Sequence, residues 1–107
     1  MKLITTSLFS ICSIILLLFY TNVVTAADIF KGLEIYNINC QVCHGPDGRG
    51  VMPDTPDFTR GAGLMSPDLA LLEIIRSGKS GVHPAYRGIL SEKDMLNVIT
   101  HLRTYLK

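Results

Sequence analysis

The stretch that decides the reading is Cys40-Gln41-Val42-Cys43-His44. Two thiols three positions apart share one side of a helical turn, and an imidazole follows the second thiol directly. That arrangement suits covalent attachment of a haem: the thiols form thioethers with the two vinyl groups of one porphyrin, and the adjacent His44 faces the iron as proximal ligand. A thioredoxin-like redox pair would want a βαβ context, which the chain does not offer. A zinc site would need two further ligands at suitable spacing, and no second Cys pair exists.

On the N-terminal side, the first 26 residues carry a single charge, Lys2, followed by a nearly unbroken apolar run from Leu8 to Tyr20 and the small-residue stretch Val24-Thr25-Ala26. This is the three-part pattern of a secretory signal, with cleavage expected after Ala26 or after Ala27. The apolar run is short for a hydrocarbon core of about 30 Å, which disfavours an uncleaved anchor. Cys12 lies early in that run, without the small residues of a lipid-attachment site before it, and reads as a bystander removed with the signal. The expected organisation is a signal over 1–26 and one domain over 27–107, in the periplasm or otherwise exported, with no stable membrane insertion after cleavage.

A domain of that size buries only about 60% of the surface its unfolded chain exposes. Small exported domains commonly add a staple. Cys40 and Cys43, the two cysteines left after cleavage, would close a trivially short loop as a disulfide. A covalently held haem answers the need by giving three or four helices a large apolar plate to pack on. Ten Lys and Arg stand against nine Asp and Glu, and without Lys2 the remaining body is formally neutral. Neutrality argues against nucleic acid, because no cation excess is available to phosphates.

Ile29, Phe30, Leu33 and Tyr36 recur at helical spacing, predicting a helix over about 28–41. From His44 to Gly63 the chain carries Gly45, Pro46, Gly48, Gly50, Pro53, Pro56, Gly61 and Gly63, which makes this a long loop. Such a loop fits a small domain when it wraps something, and a haem edge suits. Ser66-Pro67-Asp68 predicts an N-cap with proline at the first helical position, opening a helix to about Ser77. A second loop spans 78–88. Ser91, with Asp94 three residues on, caps a last helix bearing a stripe of Met95, Val98, Ile99, Leu102, Tyr105 and Leu106. No strand pattern appears, so the expected class is all-α.

With haem attachment near its start and a capped helix at its end, the chain resembles the class I (monohaem) cytochromes c from Phe30 to Leu106. Gly32 and Tyr36 stand eight and four residues before Cys40, as that family's helix-contact residues do. Gly45 to Gly50 resembles the loop after the haem histidine. Thr55-Pro56-Asp57-Phe58 resembles a Pro-containing stretch, implying that the Pro56 carbonyl accepts a hydrogen bond from His44 Nδ1–H; such contacts orient a ligating imidazole. The resemblance implies a small cytochrome c-like fold of three to four helices around one covalent haem c.

Two departures matter. Where the family's distal loop reads Met-Pro-Ala-aromatic, this chain reads His83-Pro84-Ala85-Tyr86. The resemblance therefore places His83 at the distal position, and a neutral imidazole is a good ligand for haem iron; the alternative reading is a loop histidine facing solvent. Met65 is the alternate distal ligand, while Met52 and Met65 otherwise seal the haem edge and Met95 belongs to the core. His101 stands where the family often has an aromatic, and reads as a packing residue.

The function this implies is that of an exported one-electron carrier (Fe3+/Fe2+), of low potential because imidazole replaces thioether, with a redox protein as donor and another as acceptor. Alternatives are a haem-based sensor or binder of small gases, and an electron-transfer subunit of a larger redox complex. No acid/base or nucleophile constellation points to an enzyme. Arg49, Arg60, Lys79 and Arg87 fall in the two loops and read either as a modest basic rim or as ordinary solvated charge.

Overall fold

The computed structural model describes residues 26–107, together with Met1, Leu3, Ile4 and Ile11. The signal expected over 1–26 therefore lies almost wholly outside the described residues. Among the described residues from 26 onward there are four α-helices, α1 Ile29–Asn39, α2 Gln41–His44, α3 Asp68–Ser77 and α4 Glu92–Leu102, with 3₁₀ turns at Phe58–Arg60 and Arg103–Tyr105. Among the described residues there is no strand, and no helix is long and apolar enough to cross a membrane.

Asp28 opens α1, its carboxylate accepting from the backbone N–H groups of Phe30 at 2.9 Å and Lys31 at 3.1 Å, which satisfies two of the donors a helix start leaves unpaired. The helix expected over 28–41 breaks at Cys40, whose φ is −117°. The Tyr86 hydroxyl donates to the Asn39 carbonyl at 2.7 Å, and the Cys43 N–H turns to the Cys40 carbonyl at 3.2 Å instead of continuing the ladder. Gly45, at φ 78°, ends α2 directly after His44.

α1 crosses α4 where Gly32 meets the backbone of Asn97. A Cβ on Gly32 would come 2.6 Å from the Asn97 carbonyl carbon and 3.0 Å from His101 Cβ, so only glycine lets the helices approach this closely. The Asn97 side chain, itself buried, accepts from the Asp28 N–H at 2.7 Å. Ile35 and Tyr36 from α1, Leu71 and Leu72 from α3, and Met95, Val98, Ile99 and Leu102 from α4 form one core with Phe58 and Leu64. Met95 sits in the core as expected. His101 packs against Tyr36 with ring centroids 5.2 Å apart, and its Nε2 lies 3.3 Å from the Tyr105 hydroxyl.

The capping box at α4 forms as expected: Ser91 Oγ accepts from the Asp94 N–H at 3.1 Å, and the Asp94 carboxylate accepts from the Ser91 N–H at 3.3 Å. The start of α3 differs. Pro67 occupies the N-cap position and Ser66 does not cap; the Ser66 carbonyl is instead taken by Arg103 Nη2 at 2.7 Å. Arg103 also bonds the Leu64 carbonyl and pairs with Asp68 at 2.6 Å, so one guanidinium gathers the 64–68 segment onto the last turn.

Candidate metal centre

His44 projects from the end of α2 into the space between the two loops. Its ring lies flat on Phe58, with centroids 4.6 Å apart and planes 16° from parallel. Asp57 holds Phe58 there by capping the 3₁₀ turn, accepting from Thr59 N–H at 3.0 Å. The Tyr36 hydroxyl donates to the Gly45 carbonyl at 2.6 Å and so fixes the backbone directly after the imidazole. Burial, and then the facing His83, lower the His44 pKa to about 4. The imidazole is therefore neutral at neutral pH, the form that ligates a metal.

His44 Nδ1 is buried and has no hydrogen-bond partner. The bond expected from the Pro56 carbonyl is thus not made in this structure. Pro56 lies towards Gly63, and the imidazole is positioned through its face, by Phe58, rather than through its edge. An unpartnered buried nitrogen costs about 1–3 kcal/mol.

His83 stands on a narrow turn. Lys79 N–H donates to the His83 carbonyl at 2.9 Å and His83 N–H to the Lys79 carbonyl at 2.8 Å. Gly78, at φ 69°, lets the returning strand of the loop press on it: a Cβ there would lie 2.8 Å from Ala85 N and 2.9 Å from the Pro84 carbonyl carbon. The His83 ring stands 6.2 Å from that of His44, inclined by 51°. His83 Nδ1 lies 2.8 Å from the Pro84 carbonyl; a carbonyl only accepts, so Nδ1 is the donor in this bond and Nε2 takes no part in it.

Cys40 and Cys43 are free thiols, both half-buried. Burial first, then the neighbouring Cys43, push the Cys40 thiol up to about 11. Among the described residues no group of three or more His, Cys, Asp or Glu could hold a bare metal ion. Two thiols beside the His44 imidazole fit instead a covalently held haem, which Cys40 and Cys43 would attach and His44 would ligate.

Met65, the alternate ligand, is 85% exposed and lies beside Gly61; Met52 is likewise exposed. The structure brings His83 rather than a methionine thioether onto His44. Of the basic loop residues, Arg49 pairs with Asp47 at 3.2 Å and Arg87 donates to Ser77 Oγ at 3.1 Å. Sequence reasoning quoted Phe58 and Tyr86 without giving either a role. The signal for Tyr86 was its hydroxyl, which needs a partner when the ring is partly buried.

Helices packed around a Cys-x-x-Cys-His turn define a class I c-type cytochrome. Residues 27–102 match the family described as cytochrome C oxidase, cbb3-type, subunit III, and the chain belongs to that family. It is 30% identical over 79 residues to a cytochrome c6 of Gracilaria tenuistipitata var. liui, covering 72% of each chain. It is 40% identical over 65 residues to the cbb3-type cytochrome c oxidase subunit FixP of Bradyrhizobium diazoefficiens, across 59% of this chain and 22% of that subunit. The fold is similar to that of the KustC0563 c-type cytochrome, with a TM-score of 0.66 at 20% identity, over 71% of this chain and 98% of the other. The protein is thus a haem c electron-transfer cytochrome holding one covalently bound haem.

Proposed function

We propose that this chain is an exported monohaem carrier of single electrons, with His44 and His83 as its axial pair and Cys40 and Cys43 as the points of covalent attachment. Haem iron supplies the Fe3+/Fe2+ couple. The chain's own residues hold the two imidazoles in place, and burial keeps that of His44 neutral. The observation that carries this reading is the placement of the His44 and His83 rings, 6.2 Å apart and inclined by 51°. Imidazole in place of thioether makes the carrier one of low potential. Export rests on the signal pattern of residues 1–26. Its partners are a donor and an acceptor redox protein, met through small transient contacts, and the chain carries no reaction of its own.

The test is an optical and electron paramagnetic resonance spectrum of the holoprotein beside its His83→Met variant. Low-spin iron without a methionine–iron charge-transfer band in the wild type, and its gain in the variant, are expected. A wild type that already shows the band overturns the His83 assignment and points to Met65 or Met52. High-spin iron that binds carbon monoxide readily would favour a gas-binding role instead.

A second reading has its own support. FixP is about four times longer than the segment matched here, and the matching family is described as an oxidase subunit. The domain then serves as an electron-transfer subunit of a larger redox complex, which copurification from the native source in a fixed ratio would show.

A further inference from the structure

Of the residues around the centre, Tyr86 is the one whose contacts bind the two sides together. Its hydroxyl donates to the Asn39 carbonyl at 2.7 Å across 47 residues of chain, and Asn39 immediately precedes Cys40. Its backbone N–H donates to the Ile75 carbonyl at 3.0 Å, near the end of α3. Its ring meets His83 edge-on, at 6.2 Å and 65°. The neighbouring residues Val82, Pro84 and Ala85 are exposed. The turn carrying His83 is therefore docked largely through Gly78 and Tyr86, and Tyr86 alone links it by a side chain to the helix break that presents the thiols.

We propose that Tyr86 is a positioning residue: its hydroxyl latches the His83 loop onto the Asn39 carbonyl and so holds the distal imidazole against the centre. This rests on the reading of His83 as distal ligand. A helix leaves its last carbonyls unpaired, and the one at Asn39 is part-buried. The latch satisfies that carbonyl and fixes the loop with the same bond. A phenylalanine would keep the ring's packing and lose only the bond, so the loop would open more often while the fold stays intact.

The experiment measures carbon monoxide association with ferrous holoprotein, with the spin state of the ferric form, for wild type, Tyr86→Phe and His83→Ala. His83→Ala sets the rate with the distal position open. Tyr86→Phe is expected to speed association about five- to tenfold, the factor that one lost hydrogen bond is worth, and to raise the high-spin share. Should Tyr86→Phe bind at the wild-type rate while His83→Ala binds faster, the latch is overturned and the ligand reading stands. Should His83→Ala bind no faster than wild type, His83 is not the ligand and the proposal falls with that reading. Wild-type protein gives a further check, independent of how the variant folds. In the six-coordinate ferrous form the Tyr86 hydroxyl proton is expected as a slowly exchanging magnetic resonance signal near Asn39, and its rapid exchange with water would overturn the latch.

Discussion

Gly32 and Asn97 meet backbone to backbone: a Cβ on Gly32 would lie 2.6 Å from the Asn97 carbonyl carbon and closer still to its oxygen. Neither atom can yield without moving a helix. This crossing sets where α1 ends, and hence where Cys40, Cys43 and His44 stand relative to α4.

Gly32→Ala is accordingly expected to destabilise the holoprotein by about 3 kcal/mol, at the upper end of what one inserted methyl costs in a packed interface. Chemical denaturation followed by circular dichroism measures it. A loss below about 0.5 kcal/mol would show that the crossing relaxes freely.

Tyr36→Phe tests the backbone after the proximal ligand. The lost hydroxyl leaves the buried Gly45 carbonyl without its 2.6 Å donor, at a cost of about 1–3 kcal/mol. The spectrum of the bound haem should change little, because the imidazole itself still rests on Phe58. Denaturation and optical spectra on the same sample separate the two effects.

Phe58→Ala removes the plate under His44 as well as a core side chain, and is expected to cost about 3–5 kcal/mol. Phe58→Leu, which keeps most of the volume and loses the flat face, should restore much of the stability without restoring the wild-type axial geometry seen by electron paramagnetic resonance. Equal spectra for Phe58→Leu and wild type would remove Phe58 from the positioning of His44.

His83→Met should raise the midpoint potential by on the order of 0.1–0.3 V, the direction in which thioether replaces imidazole. Potentiometric titration reads it. An unchanged midpoint would mean that position 83 does not reach the iron.

His101 gives the protein a pH dependence of known sign. Burial lowers its pKa from the ordinary 6.5, so the unfolded chain binds that proton more readily than the folded one. The stability from neutral His101 is full above about pH 6.5 and is lost as the pH falls from there towards the depressed folded value. His101→Phe, which keeps a ring against Tyr36, should flatten the slope of stability against pH just below 6.5. An unchanged slope would place the titration elsewhere.

Local patterns in the chain carried much of this structure. The thiol–thiol–imidazole spacing, the Ser91–Asp94 box and the apolar stripe of α4 each depend on residues within a turn or two of one another, and each was legible, whereas in α1 the residues Ile29, Phe30 and Leu33 are exposed and Ile35 joins Tyr36 in the core. What escaped was set by long-range contacts. The Asn39 carbonyl at the break takes its donor from a hydroxyl at position 86, the Ser66 carbonyl takes its donor from a guanidinium at position 103, and His44 is seated on the ring of Phe58 rather than on Pro56. Spacing along the chain records none of these pairings.

Arg103 carries a consequence for the ends of the domain. Its contacts with Leu64, Ser66 and Asp68 make the final turn a clasp across the loop that leads into α3. Trimming residues 103–107 would therefore act at a distance, freeing a segment some forty positions earlier in the chain. Protease nicking should then appear first around Leu64–Asp68, well before the helices themselves come apart.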